Sequence, residues 1–283
     1  MNKQEILKYM REQQGKHSPM GIYTLSDCKL PNLNIKPLMI LHAPPIVRDL
    51  GVIYGWLWSR GVLNKTNGFN DFKRLYTERG AISELAIDVM FRSMYLTSVD
   101  WSSLFNFDKY DFIRKGKKGL AKRVTIGVTS SRQTDMETGT ARQAAGANLK
   151  GNPAIHYSYN KIDKLADYLI GVSVKSTNDG SDVAIWGAIT KRRLRPLMNE
   201  LYEKGFGFYT GNDVWLPLRV NEIKLKGFKR RDYVQLLKAL GCNEGLQLIQ
   251  AKTNKERRAI LQSIEKKTND ELEAIAVRTK GYN

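Results

Sequence analysis

Residues 186–220 read WGAITKRRLRPLMNELYEKGFGFYTGNDVWLPLRV, and the succession of patterns within them decides the expected fold. The stretch leaves a strand and runs through four cations, Lys191, Arg192, Arg193 and Arg195. Leu194, Leu197, Met198, Leu201 and Tyr202 follow at the i, i+3, i+4, i+7 and i+8 spacing of one buried helical face. Proline is tolerated in a first helical turn, so Pro196 predicts a helix starting near Arg193 and not at Thr190. The cationic run then sits where free backbone N–H groups also favour phosphate. Lys204-Gly205 ends the helix. Phe206–Tyr209, a turn at Thr210–Asp213 and Val214–Leu218 read as a β-hairpin. Cations beside an aromatic hairpin offer charge for phosphates and flat rings for bases.

Moving upstream, Val172–Lys175 and Val183–Ile189 form a second hairpin, with Asp179-Gly180 as the turn signal inside Ser176–Ser181. Asn160 caps an expected helix to Ile170, with Ile162, Leu165, Ala166 and Leu169 inward. Ala154–Tyr159 alternates as a strand, and so does Val124–Val128. Between them, residues 129–153 are small and polar, a long loop with a short helix around Ala141–Leu149. The N-terminal third predicts helices at residues 2–14, Ile46–Ser59, Asn70–Arg79 and Ile82–Leu96, the last two divided by Gly80. Ile22–Leu25 and Pro37–Leu41 supply short strands, and Ala43-Pro44-Pro45 a stiff turn. Downstream, Lys229–Leu240, Gly245–Lys252, Lys255–Lys266 and Asp270–Arg278 read as helices, with Gly241 stopping the first. The fold class expected is α+β: a mixed central β-sheet, a helical N-terminal part (1–100), a basic part (101–226) and a helical C-terminal cap (227–283).

Forty-six Lys and Arg against twenty-eight Asp and Glu give a formal charge of +18 and a pI near 9.8. The excess is uneven: net +4 over residues 1–100, +8 over 101–200 and +6 over 201–283. Such a balance favours a polyanionic partner and places its footprint in the later two thirds. Cys28 and Cys242 are far apart and outside any CxxC pattern, which excludes a disulfide framework or structural zinc and suits an intracellular, cytoplasmic protein. Residues 1–18 lack the apolar core of a signal peptide, and no window reaches eighteen apolar residues, so neither secretion nor a transmembrane span is expected.

Lys204-Gly205-Phe206-Gly207-Phe208 resembles the first five positions of the RNA-recognition octamer of RRM domains, where the aromatics stack on RNA from a central strand. The likeness stops at Tyr209 and Gly211, where that family has an aliphatic and a final aromatic. The order of helix then hairpin over 193–220 is also similar to the end of a winged-helix domain, in which a basic helix reads a DNA groove. Asp213 with Glu222-Ile223-Lys224 resembles the D…E-x-K signature of restriction-type nucleases, whose carboxylates hold Mg²⁺ and whose lysine positions water. Were Val214–Glu222 one straight strand, its ends would lie about 30 Å apart, so that site needs a sharp bend at Pro217. His17, His42 and His156 have no metal-site spacing, and no P-loop, dinucleotide fingerprint or nucleophile elbow is present.

These patterns predict a non-catalytic protein that binds RNA or single-stranded DNA with low sequence specificity and without a cofactor. The alternatives are a Mg²⁺-dependent nuclease (Asp213, Glu222, Lys224) and a winged-helix-like DNA-binding protein. Phosphates are assigned to Arg114, Lys115, Lys117, Lys118, Lys122, Arg123, Lys191, Arg192, Arg193, Arg195, Lys229, Arg230 and Arg231. Bases are assigned to Phe208, Tyr209 and Trp215.

Overall fold

Two strands rich in Val, Ile and Ala and joined by Asn178-Asp179 form the centre of the molecule: β6 (Tyr168–Thr177) and β7 (Gly180–Thr190). The computed structural model describes residues 24–26, 36–45, 79–80, 82–84, 86–87, 112–114, 124–132, 154–158, 165–203, 208–209, 213–218, 227–264 and 266. Around the central pair lie β1 (Thr24–Leu25), β2 (Met39–Ala43), β3 (Phe112–Arg114) and β4 (Val124–Arg132). Together they make a six-stranded sheet of order β1-β2-β7-β6-β4-β3. The β4–β6 pair is parallel and the rest are antiparallel, so the sheet is mixed. A smaller antiparallel sheet has the order β5-β9-β8, with β5 at Ala154–Ser158, β8 at Phe208–Tyr209 and β9 at Asp213–Pro217. With α1 (Lys191–Glu203), α2 (Arg230–Leu240) and α3 (Asn243–Gln250), the fold class is α+β.

Almost every residue of β7 is buried, because both of its faces are covered. Val183, Ile185 and Ala188 join one core with Tyr233, Leu236 and Leu237 of α2, and with Leu248 and Ile249 of α3. Ala184, Trp186 and Ile189 join the other with Leu194, Leu197, Met198 and Leu201 of α1, and with Val214 and Leu216 of β9. The alternation along β7 changes phase at Trp186. There Gly171 pairs with Gly187 but Val172 pairs with Ile185, so Trp186 is the extra residue of a β-bulge. Its indole N–H donates to the Ser173 hydroxyl at 3.0 Å. Burying each of the four apolar side chains of α1 contributes about 1.5–3 kcal/mol.

The first core draws on all three stretches of the chain: Leu25, Met39 and Ile82 from the first hundred residues, Ile126 and Val172 from the middle, and Tyr233 and Ile264 from the end. The helical residues 79–80, 82–84 and 86–87 contribute Ile82, Ala86 and Ile87 to it. Gly80 is itself helical.

Several local expectations need correction. Residues 165–167 are irregular and Tyr168 opens β6, so the predicted Asn160–Ile170 helix does not reach Ile170. Leu165, Ala166 and Leu169 are buried as expected, but Tyr168–Ile170 take strand pairing between β4 and β7. β4 runs on to Arg132, past the expected start of the polar loop, because Thr129–Arg132 pair in parallel with Gly171–Val174. Thr129 and Ser131 are buried polar residues, which a composition reading assigns to loops. The β6–β7 turn is shorter than expected, two residues instead of six. α1 starts at Lys191, not near Arg193, which leaves Pro196 inside the helix. Pro196 removes the N–H that would have met the carbonyl of Arg192, and both residues are exposed. α2, α3 and the helical residues 254–264 match the expected helices to within about two residues at most of their ends. The helices expected at 2–14, 46–59, 141–149 and 270–278 lie outside the described residues.

Candidate nucleic-acid interface

Register places several strand ends and two helix starts at one end of the central sheet. Thr190, the last residue of β7, pairs with Tyr168, which pairs with Ile126. Arg114, the last residue of β3, pairs with Val124, the first of β4. β3 therefore ends and β4 begins at this end of the sheet. α1 follows β7 directly, and the backbone N–H of Lys191 donates to the Asp167 carbonyl at 2.8 Å.

The start of α2 reaches the same place through an isolated antiparallel bridge between Ala188 and Lys229, with N–H···O distances of 3.2 and 2.8 Å. Gly187 makes the approach possible. Its φ is 132°, and a Cβ there would lie 2.9 Å from the carbonyl of Lys229. Few residues other than glycine tolerate either condition.

Arg193 then ties the two helices together. Its guanidinium forms an ion pair with Asp232 in the first turn of α2 and donates to the Gly227 carbonyl at 2.8 Å. Asp232 is 7% exposed and sits where the helix dipole favours an anion. Arg230 donates to the Ile249 carbonyl near the C-terminus of α3 at 2.7 Å. These two arginines, both expected to meet phosphate, thus have structural partners within the protein.

Lys191, Arg192 and Arg195 on α1, and Arg231 on α2, are exposed at this end. The first turn of α1 carries no acidic residue. The carboxylate of Asp167 accepts the backbone N–H and the hydroxyl of Thr125, at 2.8 and 2.9 Å. Burial first, and then the negative charges of Asp232 and Asp167, push the Tyr168 phenol above its usual range. At neutral pH it stays protonated and adds no anion. Local positive charge here comes with two helix N-termini, a combination suited to phosphate oxygens.

The far end of the β6–β7 hairpin has the opposite character. His42 of β2 contacts Asp182 through Nδ1 at 3.1 Å and the Asp179 carbonyl through Nε2 at 3.2 Å. Gly180 has a φ of 145°, and a Cβ there would collide with the carbonyl oxygen of Ala43. Lys175 pairs across the hairpin with Asp182, so this end has no excess of cations like that at the starts of α1 and α2.

Of the other expected site residues, Arg114 lies on β3, and Lys229 is half-buried at the bridge. Lys115, Lys117, Lys118, Lys122 and Arg123 lie outside the described residues. Phe208 and Tyr209 form β8, an edge strand, whereas the RRM resemblance calls for a central one. Trp215 is in the middle of β9. The winged-helix resemblance needs helices before the basic helix; here the β6–β7 hairpin stands there. For the nuclease resemblance, Asp213 starts β9, the strand ends at Pro217 and a bend follows at Leu218. Glu222 and Lys224 lie outside the described residues. Among the described residues no group of three or more His, Cys, Asp or Glu side chains could hold a metal ion. No described helix is long and apolar enough to cross a membrane.

Sequence patterning missed Asp232 and placed Tyr202 on the buried face, whereas Tyr202 is 56% exposed. A helical wheel centred on Leu194, Leu197, Met198 and Leu201 would have put Tyr202 at the margin of that face. Comparison with protein-family models, curated proteins and solved structures gives no match for this chain.

Proposed function

We propose that the protein binds RNA or single-stranded DNA without cleaving it and with low sequence specificity, using the cationic end of its central sheet. The observation that carries this reading is the meeting of the α1 and α2 N-termini, where Arg193 neutralises Asp232 while Lys191, Arg192, Arg195 and Arg231 remain exposed. Point charges and backbone N–H groups hold phosphates whatever the base, which accounts for low specificity. The net charge of +18 adds long-range attraction for such a ligand. The preference for a single strand draws on the aromatic hairpin β8–β9, whose outer strand lies at a sheet edge.

The test is a titration of labelled oligo(dT), oligo(U) and a DNA duplex at several salt concentrations. Affinity should fall linearly on a log–log plot. Replacing Lys191, Arg192 and Arg195 together by glutamine should flatten the single-strand slope by about 2. A response independent of salt would remove the phosphate model. Cleavage in Mg²⁺ that disappears in Asp213→Ala would favour the nuclease instead.

A further inference from the structure

Resting on the nucleic-acid reading above, we infer that Tyr202 is a base-stacking residue. A single strand runs along α1 with its backbone on Lys191 and Arg195 and a base on the Tyr202 ring. Tyr202 is the one large hydrophobic side chain that is exposed among the described residues, although its neighbour Leu201 is fully buried. Residues seven apart on a helix differ by only about 20° around the axis, so Arg195 and Tyr202 share one stripe. Lys191, eleven residues before Tyr202, completes three turns and falls on the same stripe. All three positions are exposed.

The spacing also suits a strand. Tyr202 lies about 10 Å along the axis from Arg195 and about 16 Å from Lys191, at roughly 1.5 Å per residue. The helix's own carboxylates turn elsewhere: Glu203 is about 100° and Glu200 about 160° around the axis from Tyr202, at 3.6 residues per turn. A polyanion following the stripe therefore meets cations first and a flat ring next. Bases in a duplex are already stacked on each other, so a ring offered in this way discriminates for an unpaired strand.

The experiment measures anisotropy of labelled oligo(dT) and of a labelled DNA duplex with the full chain and two variants, Tyr202→Leu and Tyr202→Phe. Leucine removes the π face and phenylalanine keeps it. Tyr202→Leu should weaken oligo(dT) binding about tenfold, Tyr202→Phe should bind like the parent, and duplex binding should not change. Because the side chain is exposed, thermal unfolding of both variants should match the parent, which separates lost stacking from lost structure. Equal losses on both probes, or no loss with leucine, would overturn the assignment and leave the phosphate-binding reading standing. If the parent chain binds neither probe in a salt-dependent manner, the broader reading falls and takes the Tyr202 assignment with it.

Discussion

Arg193 of α1 and Asp232 of α2 form an ion pair that joins the starts of two helices 39 residues apart in sequence. The aspartate is 7% exposed and the arginine 21%, so the pair is partly withdrawn from water. Losing one partner leaves the other charge poorly solvated. Asp232→Asn should destabilise the protein by about 2 kcal/mol, less than a fully buried pair because Arg193 keeps the Gly227 carbonyl. Urea unfolding of this variant, of Arg193→Met and of the double variant would measure the coupling; additive losses would show that the pair contributes nothing.

Arg193 and Arg231 separate the structural cation from the exposed one. Arg231→Gln should leave the melting temperature unchanged and flatten the salt slope for single strands by about 0.7, one phosphate contact. Arg193→Gln should lower the melting temperature instead. Calorimetry paired with the salt titration decides it, and equal effects of the two variants on both readouts would contradict the assignment.

Gly187 holds the bridge between β7 and α2. Gly187→Ala places a Cβ against the Lys229 backbone at a φ of 132°, and should cost about 1–3 kcal/mol. Gly80→Ala serves as the contrast: a Cβ there meets nothing within 4 Å, and alanine in a helix should be neutral or slightly stabilising. The denaturation midpoint should therefore fall for Gly187→Ala and stay level or rise slightly for Gly80→Ala.

Asp179 gives the β6–β7 turn a dependence on acid. The facing Thr177 hydroxyl, its own backbone amide and His42 hold its carboxyl below the ordinary value of 3.8. A lowered folded-state pKa means stabilisation that is present above the unfolded value and lost as pH falls through the folded one. Asp179→Asn should therefore remove part of the acid-induced loss of stability. Unfolding curves collected from neutral pH down into the acid range would show it.

Period and turn chemistry made much of the fold legible. The β6–β7 and β8–β9 hairpins, the buried face of α1 and the Gly241 stop of α2 all follow from local pattern. What patterning missed depends on partners remote in sequence. Leu165, Ala166 and Leu169 fit a helical face, yet pairing with β4 and β7 draws Tyr168 onward into strand. Thr129 and Ser131 look like loop residues until β6 pairs beside them. The cationic run was visible, but which arginine is engaged was not, because Asp232 and the Ile249 carbonyl come from helices later in the chain.

The pairing of β2 with β7 has a kinetic side. His42 and Asp182 face each other across 140 residues of sequence, whereas β6 and β7 meet through a two-residue turn. Loop-closure entropy makes the hairpin early and the docking of β2 late on the folding route. Until β2 arrives, β7 presents an open row of amides and carbonyls to any extended chain nearby. Truncated forms lacking residues 39–43 should consequently self-associate through that edge, which β2 guards in the folded chain.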